Sequence, residues 1–174
     1  SPLDPSIPTI TAPLKEAGYH TAYVGKWHLD GCNNFKRIPP ERRGGFDYWV
    51  GYENNNAQYR VYVHGTGCEE PWRLDGYETD ALTDLFIDHL TRHCEQTGGP
   101  DAREQPFFGV LSVQPPHGPY VAPEAFARNH RPADVKLRPN VPDVPRVAEG
   151  ARLDLAGYYA QIENIDANVG RLVD

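Results

Sequence analysis

The apolar positions of this chain fall into a few short runs separated by long polar and proline-rich stretches. Ser1 to Ile10 carries three prolines and reads as an irregular lead-in. Thr9 or Thr11 can cap a short helix over Ala12 to Ala17, with Gly18 as its left-handed stop. Tyr19 to Val24 follows as a strand that ends at Gly25. Asn33 to Gly45 is polar, broken by Pro39-Pro40 and Gly44-Gly45, and reads as loop. Phe46 to Val50 is a second short strand. Tyr59 to Val63 is an edge-strand candidate inside the otherwise polar and aromatic stretch from Glu53 to Pro71.

Two long helices are predicted by period. In Glu78 to Cys94, Leu82, Leu85, Phe86 and Leu90 recur at three- and four-residue spacing and Cys94 continues the stripe. Gly98-Gly99-Pro100 closes it. In Leu153 to Asp174 the stripe is Leu155, Tyr158, Tyr159, Ile162, Ile165, Val169 and Leu172, which puts Tyr158 and Tyr159 in a core and leaves Glu163 and Asp166 solvated. That stripe runs to the last residue without a glycine or proline stop, the pattern expected of an internal slice of a longer chain. Between the helices, Pro106 to Val113 is nearly continuous apolar sequence, as in a parallel strand covered on both faces. Pro115 to Pro145 is a proline-rich surface excursion. Helix and strand alternate, so the expected fold class is α/β, a layered arrangement on a mainly parallel sheet of which residues 1–174 supply part.

Composition narrows the partners. A hydrophobic fraction of 39% and a charged fraction of 24% suit a globular domain. The formal charge of −7 speaks against nucleic acid or an anionic membrane surface, so an anionic substrate needs a local cationic pocket. No apolar run approaches the roughly 20 residues that span a bilayer, and no leader-like segment opens the chain. Cys32, Cys68 and Cys94 have no zinc spacing, and their number admits one disulfide plus a thiol or three thiols. Cytoplasmic, periplasmic and secreted locations all remain open.

The chemistry gathers at two strand ends. The first strand is followed at once by Lys26-Trp27-His28. In an extended chain Lys26 and His28 project from one face and Trp27 from the other, so a buried indole aims an ammonium and an imidazole together. A lysine suits an oxyanion, and a histidine moves protons near neutral pH. His117 sits just past the other apolar strand between Pro115-Pro116 and Pro119, which restrict its backbone. Parallel neighbouring strands would bring it to the same rim, where open α/β sheets bind ligands. Asn54, Asn55 and Tyr59, with Asn56 and His64, are candidates for a sugar-binding loop. His89 and His93 share a helix face at metal-bridging spacing, but the glutamate of a catalytic HExxH is missing and the pair flanks the core stripe.

"LKEAGYHTAYVGKWHLDG" resembles the second signature of the sulfatase family, and the resemblance continues in order through "GFDYWVGYENN", "GYETDALTDLFIDHL", "PFFGVLSVQPPHGPY" and "YYAQIENIDANVGRLVD". It implies an alkaline-phosphatase-like αβα fold. It also implies hydrolysis of a sugar, aryl or alkyl sulfate by a formylglycine nucleophile beside a divalent cation, usually calcium. Residue by residue, Lys26 matches the sulfate-binding lysine. His28 matches the histidine that contacts formylglycine and helps release sulfate, and His117 the histidine near the leaving oxygen. The family's "HLG" is "HLDG" here, with Asp30 inserted before Gly31. The family's acidic metal-binding pair and its Cys/Ser-x-Pro-x-Arg motif have no counterpart in these residues, and its later Asp-Asn ligands would fall beyond Asp174. The resemblance therefore implies part of a catalytic domain, without nucleophile or metal cage and inactive alone. A phosphodiesterase or phosphonate monoester hydrolase of the same superfamily and a non-catalytic anion-binding domain are the alternatives.

Overall fold

The computed structural model describes residues 2–31, 36–98 and 105–174. They form two compact units: residues 1–55 with 59–113, and residues 56–58 with 114–174.

The first unit is a five-stranded mixed sheet with two helices. The short helix α1 (Thr11–Glu16) leads into β1 (His20–Lys26). β2 (Tyr48–Tyr52), β3 (Tyr62–Gly65) and β4 (Cys68–Arg73) precede helix α2 (Glu78–Gln96) and β5 (Phe107–Ser112). The strand order is β4-β3-β2-β1-β5. β1 pairs in parallel with both β2 and β5, while β2–β3 and β3–β4 are antiparallel. The α/β class stands, with an antiparallel hairpin added to three parallel strands.

β1 is the middle of the three parallel strands, and Thr21 through Gly25 are all buried. It does not end at Gly25, as its sequence suggests, but continues through Lys26. Gly25 adopts φ +123° and its α-carbon lies so close to β5 that a Cβ would stand 2.0 Å from the Ser112 carbonyl oxygen. The glycine therefore permits a tight strand pair instead of breaking a strand. On one face Tyr23, Trp27, Ile38 and Trp49 form an aromatic core, with Tyr23 and Trp27 edge to face at 4.9 Å. On α2, Phe86 packs where Gly109 of β5 leaves room; a Cβ there would meet its ring at 2.5 Å.

Three expectations for this unit need correction. The hairpin β3–β4 replaces the single strand expected at Tyr59 to Val63, because a short strand with mostly exposed partners carries no apolar alternation. β5 was expected to be covered on both faces. It occupies the edge of the sheet, its residues are only partly buried and Phe107 is 43% exposed. On α2 the buried line is Leu82, Phe86 and His93, flanked by Thr79 and Thr83. The expected end at Gly98-Gly99-Pro100 lies partly outside the described residues.

In the second unit the proline-rich excursion carries a short helix, α3 (Glu124–Ala127), and α4 runs over Pro145–Val173, starting eight residues before the expected Leu153. Proline at its first position suits a helix start. The buried face of α4 is made of Ala148, Ala156, Ala160, Gln161, Asn164 and Asn168. The apolar stripe is largely outward: Tyr159 is 43%, Ile162 41% and Val169 49% exposed. Tyr159 is thus not a core residue, and Tyr158 is half-buried against Tyr120. The amides are inside because the loop beside them needs donors: Gln161 Nε2 reaches the carbonyls of Pro119 and Val121, each at 3.2 Å. Glu163 is not simply solvated; it accepts from Asn129 (2.8 Å) and bonds His130 (2.7 Å). No helix of the described residues is long and apolar enough to cross a membrane.

Candidate functional site

The carboxyl end of β1 is shaped by the carboxyl end of β2. Lys26 pairs opposite Tyr52. The Trp27 N–H then donates to the Tyr52 carbonyl (2.8 Å) and the His28 N–H to the Glu53 carbonyl (2.9 Å). The Glu53 carboxylate, in a residue 2% exposed, takes the next groups: Asp30 N–H at 3.1 and 3.0 Å and Gly31 N–H at 2.7 Å. Four main-chain donors of the Lys26–Gly31 turn thus end on Tyr52, the last residue of β2, and on Glu53 directly after it. Hydrogen bonds to an ionised acceptor are the stronger kind, so this turn is held more firmly than its loop position suggests. On the other side the Lys26 carbonyl accepts from the Tyr23 hydroxyl and from Ser112 Oγ (2.9 Å).

Trp27 behaves as expected, 6% exposed within the aromatic core. Lys26 is partly buried and His28 exposed. The simple alternation argument fails at His28, which has φ +55°. A non-glycine residue there costs on the order of 1 kcal/mol and persists where its surroundings over-determine it. Here the Glu53 bonds do so. The inserted Asp30 closes the turn: its side chain, 3% exposed, pairs with Arg42 at 3.2 Å. Glu53, which holds this turn, is the residue that sequence reasoning missed. Its only signal was position, a charged residue directly after the apolar strand "YWVGY", as Lys26 is for β1.

Asn54, next after Glu53, and Asn55 line a cavity of about 490 Å³ with Lys36, Arg37, Arg60 and Tyr62. His64 also reaches it, buried, with Nε2 accepting the Ile38 N–H at 2.9 Å, so that its proton is on Nδ1. Burial, reinforced by the nearby Arg43 cation, holds His64 below the usual imidazole range. Tyr59 does not line this cavity; its ring packs edge to face on Tyr77.

His117 belongs to the second unit. Its N–H donates to the Gln114 carbonyl (3.2 Å), and its own carbonyl accepts from Gln58 Nε2 (3.3 Å). The ring bonds within its loop: Nδ1 donates to the Gly118 carbonyl at 2.7 Å. That contact fixes the tautomer and leaves Nε2 as the nitrogen for other chemistry. Asn56, in the same unit, accepts from Gln114 Nε2 at 2.8 Å.

Three imidazoles meet at the opposite, amino end of β1. His20 Nε2 lies 2.9 Å from His89 Nε2, and His93 stacks on His20 with ring centroids 4.6 Å apart. His89 stacks on Tyr48 at 3.6 Å, and His93 Nε2 bonds the Gln105 carbonyl. Burial, strengthened by the neighbouring rings, pushes His20 down and His89 to about 4. His89 and His93 are thus engaged in ring packing and hydrogen bonds. Among the described residues no cluster of three or more His, Cys, Asp or Glu side chains is arranged to hold a metal ion. Near Lys26 the acidic groups do not fit calcium either. A calcium cage takes six to eight oxygens, whereas Glu53 is committed to N–H donors and Asp30 to Arg42. Cys68 and Cys94 are free thiols; Cys32 lies outside the described residues.

Three parallel strands, β2, β1 and β5, thus place the Lys26 turn at the carboxyl edge of the sheet, where open α/β sheets bind ligands. The sequence profile of the Sulfatase family matches residues 1–174. The chain belongs to the sulfatase family. It is 32% identical over 161 residues to an ulvan-active sulfatase of Formosa agariphila, covering 92% of this chain and 30% of that protein. It is 28% identical over 130 residues to the uncharacterized sulfatase YidJ of Escherichia coli, covering 72% and 26% respectively. A crystal structure of a Bacteroides fragilis protein assigned as a sulfatase, yidJ, superposes with a TM-score of 0.84 at 26% identity, covering 99% of this chain and 40% of that one. The chain therefore spans about a third of the length of the relatives it matches.

Proposed function

We propose that the protein containing these residues hydrolyses sulfate monoesters, with Lys26 and His28 in contact with the sulfate group. The observation that carries this reading is the Lys26–Gly31 turn, with four main-chain donors fixed on Tyr52 and Glu53 in a chain of this family. A preorganised ammonium stabilises charge on the ester oxygens without reorganising during reaction. His28, exposed beside it, donates a hydrogen bond to a sulfate oxygen. His117 is the general acid. With Nδ1 held by the Gly118 carbonyl, the ring gives up an Nε2 proton to the departing alcohol. The resemblance to an ulvan-active sulfatase favours a sulfated sugar as substrate, with Asn54 and Asn55 lining the adjacent cavity.

Formylglycine and a divalent cation, where the full protein carries them, supply the nucleophile and charge compensation at the sulfate. The carboxylates beside Lys26 are already committed, Glu53 to main-chain N–H groups and Asp30 to Arg42. In this reading residues 1–174 are part of a catalytic domain and show no turnover by themselves.

A phosphodiesterase or phosphonate monoester hydrolase differs in the charge of its ester. The full-length protein, assayed against matched sulfate, phosphate and phosphonate esters, is expected to prefer sulfate by at least about 100-fold in kcat/KM, equivalent to some 2.7 kcal/mol. A preference for either phosphorus ester overturns the reading. For His117, the expected signature is leaving-group dependence: His117→Ala slows an alkyl sulfate about 100-fold or more but an activated aryl sulfate far less, because a good leaving group needs no proton. Equal losses on both remove His117 from that role.

A further inference from the structure

The cavity beyond Glu53 is chemically unlike the rest of this acidic chain. Three cations, Lys36, Arg37 and Arg60, line it together with Asn54, Asn55 and the exposed ring of Tyr62. Among the described residues no carboxylate pairs with Arg60, and the pair between Arg37 and Glu70 is exposed, 49% and 81%, and therefore readily exchanged. Among the described lining residues the one acid, Glu53, is committed to the Asp30 and Gly31 N–H groups. The Asn54 side-chain oxygen is buried without a hydrogen-bond partner, an unrelieved desolvation penalty that a ligand hydroxyl relieves. With about 490 Å³, the space holds a sugar ring. Its location follows from the chain: Asn54 is one residue past the carbonyl that holds the His28 N–H.

We propose that this cavity is a second anion subsite, which takes a carboxylate or sulfate on the sugar next to the one being desulfated. The proposal rests on the sulfatase reading and deepens it. The preferred substrate is a polyanionic oligosaccharide, gripped at one ester by Lys26 and His28 and at a neighbouring charge by Arg60 and Arg37, with Tyr62 as a ring platform and Asn54 on a hydroxyl. A net charge of −7 repels such chains, so a local cationic cavity is what selects them.

The test uses the full-length protein and three disaccharides sharing one O-sulfated ring. The neighbouring ring carries a carboxylate, a second sulfate or hydroxyls alone, and 4-nitrophenyl sulfate serves as the substrate with no second ring. At least one of the two dianionic disaccharides is expected to show a KM about 10-fold below that of the neutral one, and which of them does so identifies the group. Arg60→Ala raises the ratio of that KM to the KM for 4-nitrophenyl sulfate about 10-fold, and Arg60→Lys restores part of it. Equal KM values for all three disaccharides, or a ratio unmoved by Arg60→Ala, overturns the subsite. Should the protein turn over no sulfate ester, the hydrolase reading fails and calorimetric titration of the same disaccharides decides this one separately. Charge-selective binding lost in Arg60→Ala supports the subsite, and binding that ignores the second charge refutes it.

Discussion

The two ends of β1 use histidine in opposite ways. At the amino end His93 stacks on His20, His20 hydrogen-bonds His89 and His89 stacks on Tyr48, and burial keeps His20 and His89 below the usual range. At the carboxyl end His28 is exposed, while its backbone is held in a left-handed conformation by the Glu53 carbonyl. One end spends its imidazoles on packing, so their rings are fixed. The other end fixes the backbone and leaves the ring accessible. A histidine is thus made structural or chemical less by its own type than by which part of it the fold immobilises.

If that contrast is right, Glu53 matters more than any single side chain touching it. Glu53→Ala leaves the Asp30 and Gly31 donors without their buried acceptor. It is expected to destabilise the full-length protein by about 3 kcal/mol and to lower sulfate-ester turnover about 100-fold, read by calorimetry and by kcat/KM. Normal turnover in a folded Glu53→Ala variant would break the link between that carboxylate and the site.

A smaller effect is expected at the other end. His89 titrates near 4 when folded and near 6.5 when unfolded. Between those values the unfolded chain binds a proton that the folded one does not, so stability falls as pH drops from 6.5 to 4 and the loss is complete below that. After discounting for partial exposure the loss is about 1–2 kcal/mol. His89→Phe, which keeps the stack on Tyr48, should flatten the corresponding slope of Tm against pH; identical slopes contradict the assignment. The smallest effect belongs to the exposed pair of Lys15 and Asp47 at 2.6 Å beside His20. Lys15→Ala should change stability by no more than about 0.5 kcal/mol in thermal melts.

The sequence made the Lys26-Trp27-His28 turn legible because three unlike side chains directly follow an apolar strand, and the burial of Trp27 follows from that pattern. Glu53 was not legible. Its partners are main-chain N–H groups 22 and 23 residues away, and only the parallel register of β1 and β2 brings them together. The strand Cys68–Arg73 left no trace because it is almost wholly exposed. On α4 the apolar period predicted the helix but not its buried face, which belongs to amides that satisfy loop carbonyls. Periodicity reports apolar area; it is blind to hydrogen-bond demand.

The most direct test of the central claim is kcat/KM of the full-length protein for an aryl sulfate with Lys26→Ala and with His28→Ala, each checked for an unchanged thermal melt. Losses of about 100-fold or more in both are predicted. Folded variants that keep turnover within about threefold of the parent, under 0.7 kcal/mol of transition-state stabilisation, would contradict the placement of the sulfate ester at this turn.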